Sequence, residues 1–516
     1  MNENKKITRA AGVIGIATLA SRILGLVRDI VIARFFGAGT VSDAFFVAFR
    51  IPNLLRRLFA EGTLSMAFVP VFTDYMAKGG KKEAFKMAGA TVRMLSLILV
   101  VITLIGITIA PGLIRVIAPG FTGAQFTLTV TLTRIMFPYI IFICLVALCM
   151  GILNVLGHFA APALAPVFLN LSIITGALLL APHMRQPVYG LAAGVLIGGV
   201  IQLALQLPFL AQKGFFLKNN AGIWHPGIAK VGRLMGPAVF GAAVYQINIL
   251  VGTMLASLLP KGSISYLYYA DRLVQFPLGL FAISTSVAVL PSLARQATAG
   301  DKQGLSDTFT FSMDFILFIT TPAMFGLILL REPIVALLFH GGAFDANSTR
   351  QTAYALLFYG VGLWAFSSVR IVVSFFYAIQ DTVTPVKTAT ISIIANIVLG
   401  IALMGPLGHG GLALATSLAS MLNFFLLAIE LHSRIRGLKW KKIIESAARS
   451  VICSIAMGAF LFWLIKSHHV SGQGPFFVQA LQLASAIFGG VLVYGVSAFI
   501  FHKKALFSVF STFKRT

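Results

Sequence analysis

Once the basic residues in loops and at the loop-side edges of spans are set aside, eleven of the chain's 40 lie within stretches apolar enough to enter a bilayer, and all eleven are arginine. They are Arg22, Arg28, Arg34, Arg50, Arg56, Arg57, Arg93, Arg134, Arg272, Arg370 and Arg449. A charged side chain at the bilayer centre costs about 2.5–3.5 kcal/mol on insertion scales, so several together need partners or a purpose. The chemistry open to them is anion binding. A guanidinium is always charged, and its planar fork grips phosphate or carboxylate oxygens with two hydrogen bonds at once. The densest group is in "AFRIPNLLRRLFAEGTLSMAFVP" at 48–70, where Arg50, Arg56 and Arg57 flank Pro52 and Asn53.

Acids to neutralise them are scarce. Asp29, Asp43 and Glu61 lie in the first two apolar spans, and between Glu83 and Asp271 there is no Asp or Glu at all. Arg57 stands four residues before Glu61 and is expected to pair with it along a helix. Arg56 points about 100° away from Arg57 and has no acid one turn on, which makes it the better candidate for an open cationic surface. Arg22 and Asp29, seven apart, share a helix face and could pair. Arg28 lies deep in the same span, and its neighbour Asp29 is expected to point elsewhere. Arg272 follows Asp271 in the polar, aromatic patch "YYADRLVQFP". Arg93 and Arg449 lie near cytoplasmic span ends and Arg34 near an outer one, where snorkelling accounts for them. Pro52, Gly25 and Gly62 can bend or loosen the helices that carry the arginines.

The elements that must position these residues are membrane helices. The chain is 58% hydrophobic and 11% charged, against roughly 45–50% and about 25% in soluble domains. Apolar windows recur throughout, each long enough to cross a hydrocarbon core of roughly 30 Å. The expected spans are 7–36, 42–76, 87–117, 124–156, 160–181, 187–211, 229–258, 264–296, 304–330, 349–379, 384–405, 410–431, 443–465 and 477–501. The first is kept as a span, not a cleaved leader, because a second charged-apolar helical stretch follows it directly. The fold class is an all-α polytopic membrane protein of about 14 transmembrane helices.

The net charge of +25 belongs to loops, not to a nucleic-acid surface. With the N-terminus cytoplasmic, 23 Lys and Arg fall on the cytoplasmic side and 6 on the other, so both termini are expected in the cytoplasm. The loop at 212–228 is basic and aromatic, fit to lie against an anionic lipid surface.

The chain also resembles itself at an offset of about 222 residues. "GLAAGVLIGGVIQ" from Gly190 matches "GLALATSLASMLN" from Gly411, and "NVLGHFAAP" ending at Pro162 matches "YAIQDTVTP" ending at Pro385. Ala48, Arg50, Phe59 and Ala60 recur as Ala270, Arg272, Phe281 and Ala282. That offset covers six helices, an even number, so the copies share one orientation. The expected organisation is two parallel six-helix lobes, 1–215 and 216–433, followed by a C-terminal helix pair and basic tail, 434–516. Parallel repeats of this kind make transporters, with the substrate held at the lobe interface. An alternating-access transporter with a cationic central cavity for a phosphate-bearing substrate follows.

Other chemistries lack their motifs. There is no G-x-x-x-x-G-K-[ST] phosphate loop and no H-E-x-x-H, and no loop is long enough for a soluble catalytic domain. His468–His469 read as an incidental polar pair in a short outer loop. Cys144, Cys149 and Cys453 lie in apolar segments and read as small hydrophobes. No cofactor or metal is expected, and no enzymatic activity. A drug exporter would place acids in its cavity. A membrane glycosyltransferase or phosphatase would need paired or metal-binding carboxylates at the membrane face. A scaffold would leave the arginines unexplained.

The stretch "SRILGLVRDIVIARFFGAGTVSDAFFVAFRIPNLLRRLFAEGTLSMAFVPVF" closely resembles the N-terminal signature of the MurJ (MviN) family of bacterial lipid II flippases, within the MOP exporter superfamily. "APGF" at 118–121, "FPYIIF" at 137–142 and "YYADRLVQFPLG" at 268–279 extend the likeness over essentially the whole chain. The resemblance implies transport of the undecaprenyl-diphosphate-linked peptidoglycan precursor across the bacterial inner membrane, with membrane lipids and other cell-wall synthesis proteins as partners. The alternative it leaves is another MOP-type exporter of lipid-linked oligosaccharide. It implies substrate-binding roles for Arg22, Arg28, Arg56 and Arg272, and an outer-side role for Asp43. Asn53 and Ser265 are implied to line or support the cavity, and the last two spans to form a groove for the lipid tail. Where relatives often carry a glutamate beside Arg272, this chain has Gln275. The carboxylate of the family's proposed sodium site has no counterpart in 229–258, so dependence on membrane potential is the expectation. Asp29, Arg50 and Gln275 complete the supporting set.

Overall fold

The computed structural model describes residues 3–216, 222–435, 437–467 and 474–503, without the side chains of 3–11, 59–62, 237–238, 240–242 and 244–245. His468–His469, part of the 212–228 loop, Arg436, the tail beyond 503 and the Glu61 side chain expected to meet Arg57 therefore lie outside the described residues. Among the described residues the chain is helical, with one isolated bridge between Gly341 and Phe344. By contacts it divides into two compact units, Met1–Gly262 and Ser263–Thr516.

The first unit opens with α1 (Glu3–Phe36) and α2 (Thr40–Leu55), which passes at Arg56 into a π-helical segment, Arg56–Leu64. Next come α3 (Ser65–Ile117), α4 (Gly123–Met136), α5 (Tyr139–Val155), α6 (Ala160–Thr175), α7 (Val188–Gln212) and α8 (Pro226–Ser257). α3 is two helices meeting in a kink at Gly80, whose φ of 68° is a left-handed conformation that glycine takes readily. That bend falls between the expected spans 42–76 and 87–117. α6 and α7 pack backbone to backbone. A Cβ on Gly190 would lie 2.6 Å from the Ala181 nitrogen, and one on Gly194 2.7 Å from the Ser172 oxygen. Small residues at helix contacts allow this close approach in membranes.

The second unit holds α9 (Ser263–Pro277), a π-helical segment at Leu278–Ile283, α10 (Ser284–Thr298), α11 (Lys302–Leu329) and the short α12 (Arg331–Phe339). It continues through α13 (Ala346–Val361), α14 (Leu363–Ala378), α15 (Val383–Arg434), α16 (Trp440–Lys466) and α17 (Phe476–Phe501). α15 bends at Gly408 as α3 does at Gly80. The repeat read from sequence recurs in these elements. Two of the three π-helical segments begin at 56 and 278, an offset of 222, and α7 and α15 end at 212 and 434, the same offset; the third, Gly176–Leu180, has no π-helical counterpart at that offset.

Among the described residues nine helices are long and apolar enough to cross a membrane, ten if α13 and α14, bent by 43° at Gly362, form one span. Taking α13 and α14 as one span, counting α3 and α15 twice at their glycine bends, with α2 and its π-helical segment running into the first half of α3, and adding α1 and α8, the path fits fourteen spans. α16 and α17 agree with the expected 443–465 and 477–501 to within a few residues.

Candidate functional site

The opening arginines sit where helix geometry changes. Pro52 has no N–H to donate, and its ring clashes with the carbonyl one turn back, which loosens the helix ahead of it. Four residues later the backbone widens into the nine-residue π-helical segment. Such bulges are rare and cluster at functional sites, because they turn side chains off the regular helical face. Arg56 is the first residue of the segment and is half-buried. Its Nε donates to Asn53 Oδ1 at 2.9 Å, so Asn53, half-buried one turn earlier, orients the guanidinium. Arg50 is half-buried too, and its Nη1 donates to the Thr253 hydroxyl on α8.

Arg28 corrects an expectation. Its Nε and Nη2 donate to Asp29 Oδ1 at 3.0 and 2.7 Å, and its Nη1 to Asn170 Oδ1 at 3.1 Å. Asp29 was expected to point elsewhere; the long Arg28 side chain instead folds round the helix to reach it. Both residues are buried, at 8% and 1% exposure. Asn170 also donates from Nδ2 to the Ser21 carbonyl, locking α6 to α1. Asn170 was missed by sequence reasoning; its signal was a lone amide in the apolar run "APVFLNLSII". Arg22 is exposed on α1, and the acid foreseen for it is engaged by Arg28. Asp43 is buried at 2% exposure, and its Oδ2 accepts from the Gly262 amide at 2.6 Å. That bond ties the first turn of α2 to the turn following α8.

In the second unit Arg272, Tyr268, Asp271 and Gln275 come together on successive turns of α9. Arg272 Nη2 donates to the Tyr268 hydroxyl at 3.0 Å, with the guanidinium carbon 5.1 Å from the ring centre. Gln275, which is exposed, donates to Asp271 Oδ2. Ser265, near the start of α9, is fully buried. Arg50 and Arg272, paired by the repeat, each stand six residues before a π-helical segment. Among the described residues no group of three His, Cys, Asp or Glu could hold a metal ion.

Arginines oriented by Asn53, Thr253 and Tyr268, in a chain with helices long and apolar enough to cross a membrane, are the class of site a polytopic membrane transporter can offer to an anion. A family model described as "Lipid II flippase MurJ" matches residues 32–482. The chain is 38% identical over 500 residues to the probable lipid II flippase MurJ of Vibrio cholerae, covering 95% of both chains. It is 39% identical over 423 residues to the lipid II flippase MurJ of Burkholderia cenocepacia, covering 81% of this chain and 82% of that one. A solved lipid II flippase MurJ in an inward closed conformation superposes with a TM-score of 0.78 at 29% identity, over 95% of this chain and 98% of the other. A MATE-family multidrug transporter of the MOP superfamily, inward-facing, matches with a TM-score of 0.69 over 81% of this chain and 95% of its own; at 16% identity it shows the fold alone. The chain belongs to the MurJ lipid II flippase family.

Proposed function

We propose that this protein flips lipid II, the undecaprenyl-diphosphate-linked peptidoglycan precursor, from the inner to the outer leaflet of the bacterial cytoplasmic membrane. Family membership supports the substrate. The observation that carries the mechanism is Arg56, oriented by Asn53 at the point where α2 becomes π-helical. A planar guanidinium suits a diphosphate better than a lysine would. Arg272, held against Tyr268, offers the same chemistry on α9, and on α1 so do the exposed Arg22 and, through whatever donors Asp29 and Asn170 leave it, the buried Arg28.

The diphosphate would rest against these arginines while the protein alternates between states open to the inner and the outer leaflet, the prenyl tail staying in lipid. Asp43, Asn53, Ser265, Gln275, Asp29 and Arg50 support or gate this cycle. The 23-to-6 bias of basic residues supports a cytoplasmic side for both termini. Carrying an anionic diphosphate outward moves negative charge toward the positive side of the membrane, which makes membrane potential a suitable driving force, and no cofactor is part of this reading. Enzymatic activity is not part of this reading, and other cell-wall synthesis proteins are its expected neighbours.

The test is depletion of the protein from cells that hold no redundant flippase. Lipid II should accumulate on the cytoplasmic leaflet; undiminished access from the outer side would overturn the reading.

A further inference from the structure

The second unit holds a recess of about 400 Å³ that has no part in the site described above. It is lined by Arg331 and Glu332 at the start of α12, and by Arg350, Gln351, Tyr354 and Leu357 on α13. Glu332 and Arg350 are exposed, and neither forms an ion pair among the described residues. Arg331 Nη1 donates to the Ile328 carbonyl at 2.7 Å, which holds the guanidinium over the end of α11 and uses one of its five donors. α12 begins at Arg331 without a side-chain cap, so the positive end of its dipole stays open to an anion.

Arg331 and Arg350 are two of the six basic residues expected on the outer side. Snorkelling accounts for a single arginine at a span end, and the helix dipole accounts for an acid in a first turn. Neither accounts for all three charges in one recess. Pro333 repeats Pro111 at the 222-residue offset, yet Arg331, Glu332 and Arg350 stand where the first repeat has Ile109, Ala110 and Leu128. The first repeat builds its helices without these charges, so the fold does not require them.

Arg350, Gln351, Tyr354 and Leu357 share one face of α13, and Leu357 lies about 10 Å along the axis from Arg350. The recess thus passes from charges of both signs to an apolar floor, on a helix that with α14 is long and apolar enough to cross a membrane. Two guanidiniums suit a phosphodiester, and a carboxylate beside them suits an ammonium group. A headgroup with a phosphate and no amine would meet Glu332 as a like charge. The volume is at the small end of ligand sites, roughly 300–1,000 Å³, which admits a compact headgroup but not a glycopeptide.

We propose that this recess binds a zwitterionic phospholipid of the leaflet opposite the basic-rich loops, one whose headgroup carries a phosphodiester and a primary ammonium group. Arg331 and Arg350 hold the phosphate and Glu332 the ammonium. The Gln351 amide and Tyr354 hydroxyl donate at the rim, and Leu357 lies against the start of an acyl chain.

The test uses the purified full chain in detergent without lipid II, so it reads lipid binding whether or not the protein flips that substrate. The probe is phosphatidylethanolamine with a photoreactive group near the top of one acyl chain, and labelled peptides are mapped by mass spectrometry. Label should fall on α13 near Leu357. Unlabelled phosphatidylethanolamine should compete about tenfold better than phosphatidylglycerol, which lacks the amine, or phosphatidylcholine, whose ammonium has no N–H to donate. Glu332→Gln should erase the preference for ethanolamine over glycerol. Arg350→Gln should weaken labelling about tenfold, the scale of one charge-assisted hydrogen bond, and Arg350→Lys less. Both side chains are exposed, and unchanged unfolding midpoints verify that the variants fold. Equal competition by phosphatidylglycerol in the parent, or a preference that survives Glu332→Gln, would overturn the proposal. So would lipid II displacing the probe better than phosphatidylethanolamine, since the recess would then belong to the transported substrate.

Discussion

Arg28 and Asp29 are adjacent in sequence and ion-paired in space, with Nη2 and Oδ1 2.7 Å apart inside the first unit. Successive helical residues point about 100° apart, so only a side chain as long as arginine's can close this pair. Asn170 takes the remaining Nη1 donor. Removing one partner of a buried pair leaves an uncompensated charge and costs about 3–5 kcal/mol. Asp29→Asn should therefore lower the thermal unfolding midpoint sharply in detergent, while Arg28→Met with Asp29→Leu recovers much of the loss. A single variant as stable as the parent would mean that the pair is not desolvated.

Arg56 separates charge from geometry. Arg56→Ala should abolish lipid II flipping with normal insertion, and Arg56→Lys should not restore it, because an ammonium cannot present two parallel donors to a diphosphate. Asn53→Ala leaves the guanidinium but removes its guide, and should reduce transport about tenfold, the scale of one hydrogen bond to a charged group. Leaflet-specific labelling of lipid II measures all three; full activity in Arg56→Lys would show that charge alone suffices.

Gln380 is the one non-glycine with positive φ among the described residues, at 60° after α14. The matching turn of the first repeat has Gly157 at φ 75°. A left-handed conformation costs a residue bearing a Cβ roughly 1–2 kcal/mol, part of which glycine returns as freedom of the unfolded chain. Gln380→Gly should thus stabilise the protein by up to about 1 kcal/mol, seen as a raised unfolding midpoint, with transport unchanged.

Asp345 caps α13 through the Ser348 amide, Oδ1 accepting at 2.7 Å. Hydrogen bonds from the Ser348 amide and hydroxyl hold its carboxyl below the ordinary carboxylate range. A depressed folded-state pKa contributes stability above the unfolded value, and that contribution disappears as pH falls through the folded value. Amide exchange in the first turn of α13 should accelerate in that acid range. Asp345→Ala should remove the acid step and cost about 1 kcal/mol at neutral pH. An acid step that survives in Asp345→Ala would assign it to another group.

The membrane class, most helix boundaries and the six-helix repeat were legible because each depends on local composition or on similarity between segments. Apolar length decides where a helix crosses lipid, and a duplicated pattern folds twice into the same elements. The π-helical segment at 278 starts 222 residues after the one at 56, as the sequence match at Arg50 and Arg272 required. The π-helical geometry itself was not legible, although Pro52 marked the place where α2 loosens.

By itself the sequence determined that arginines enter the membrane, that few acids accompany them, and that the chain resembles lipid II flippases. Only the tertiary structure decided which arginine has which partner. Arg28 is held by Asp29 and by an amide 142 residues away, Arg50 by a hydroxyl 203 residues away, and Arg56 by an amide one turn back. Helical period fixes the direction in which a Cβ leaves the backbone, but a guanidinium ends several rotatable bonds further out. Its partner is set by which helices pack within reach.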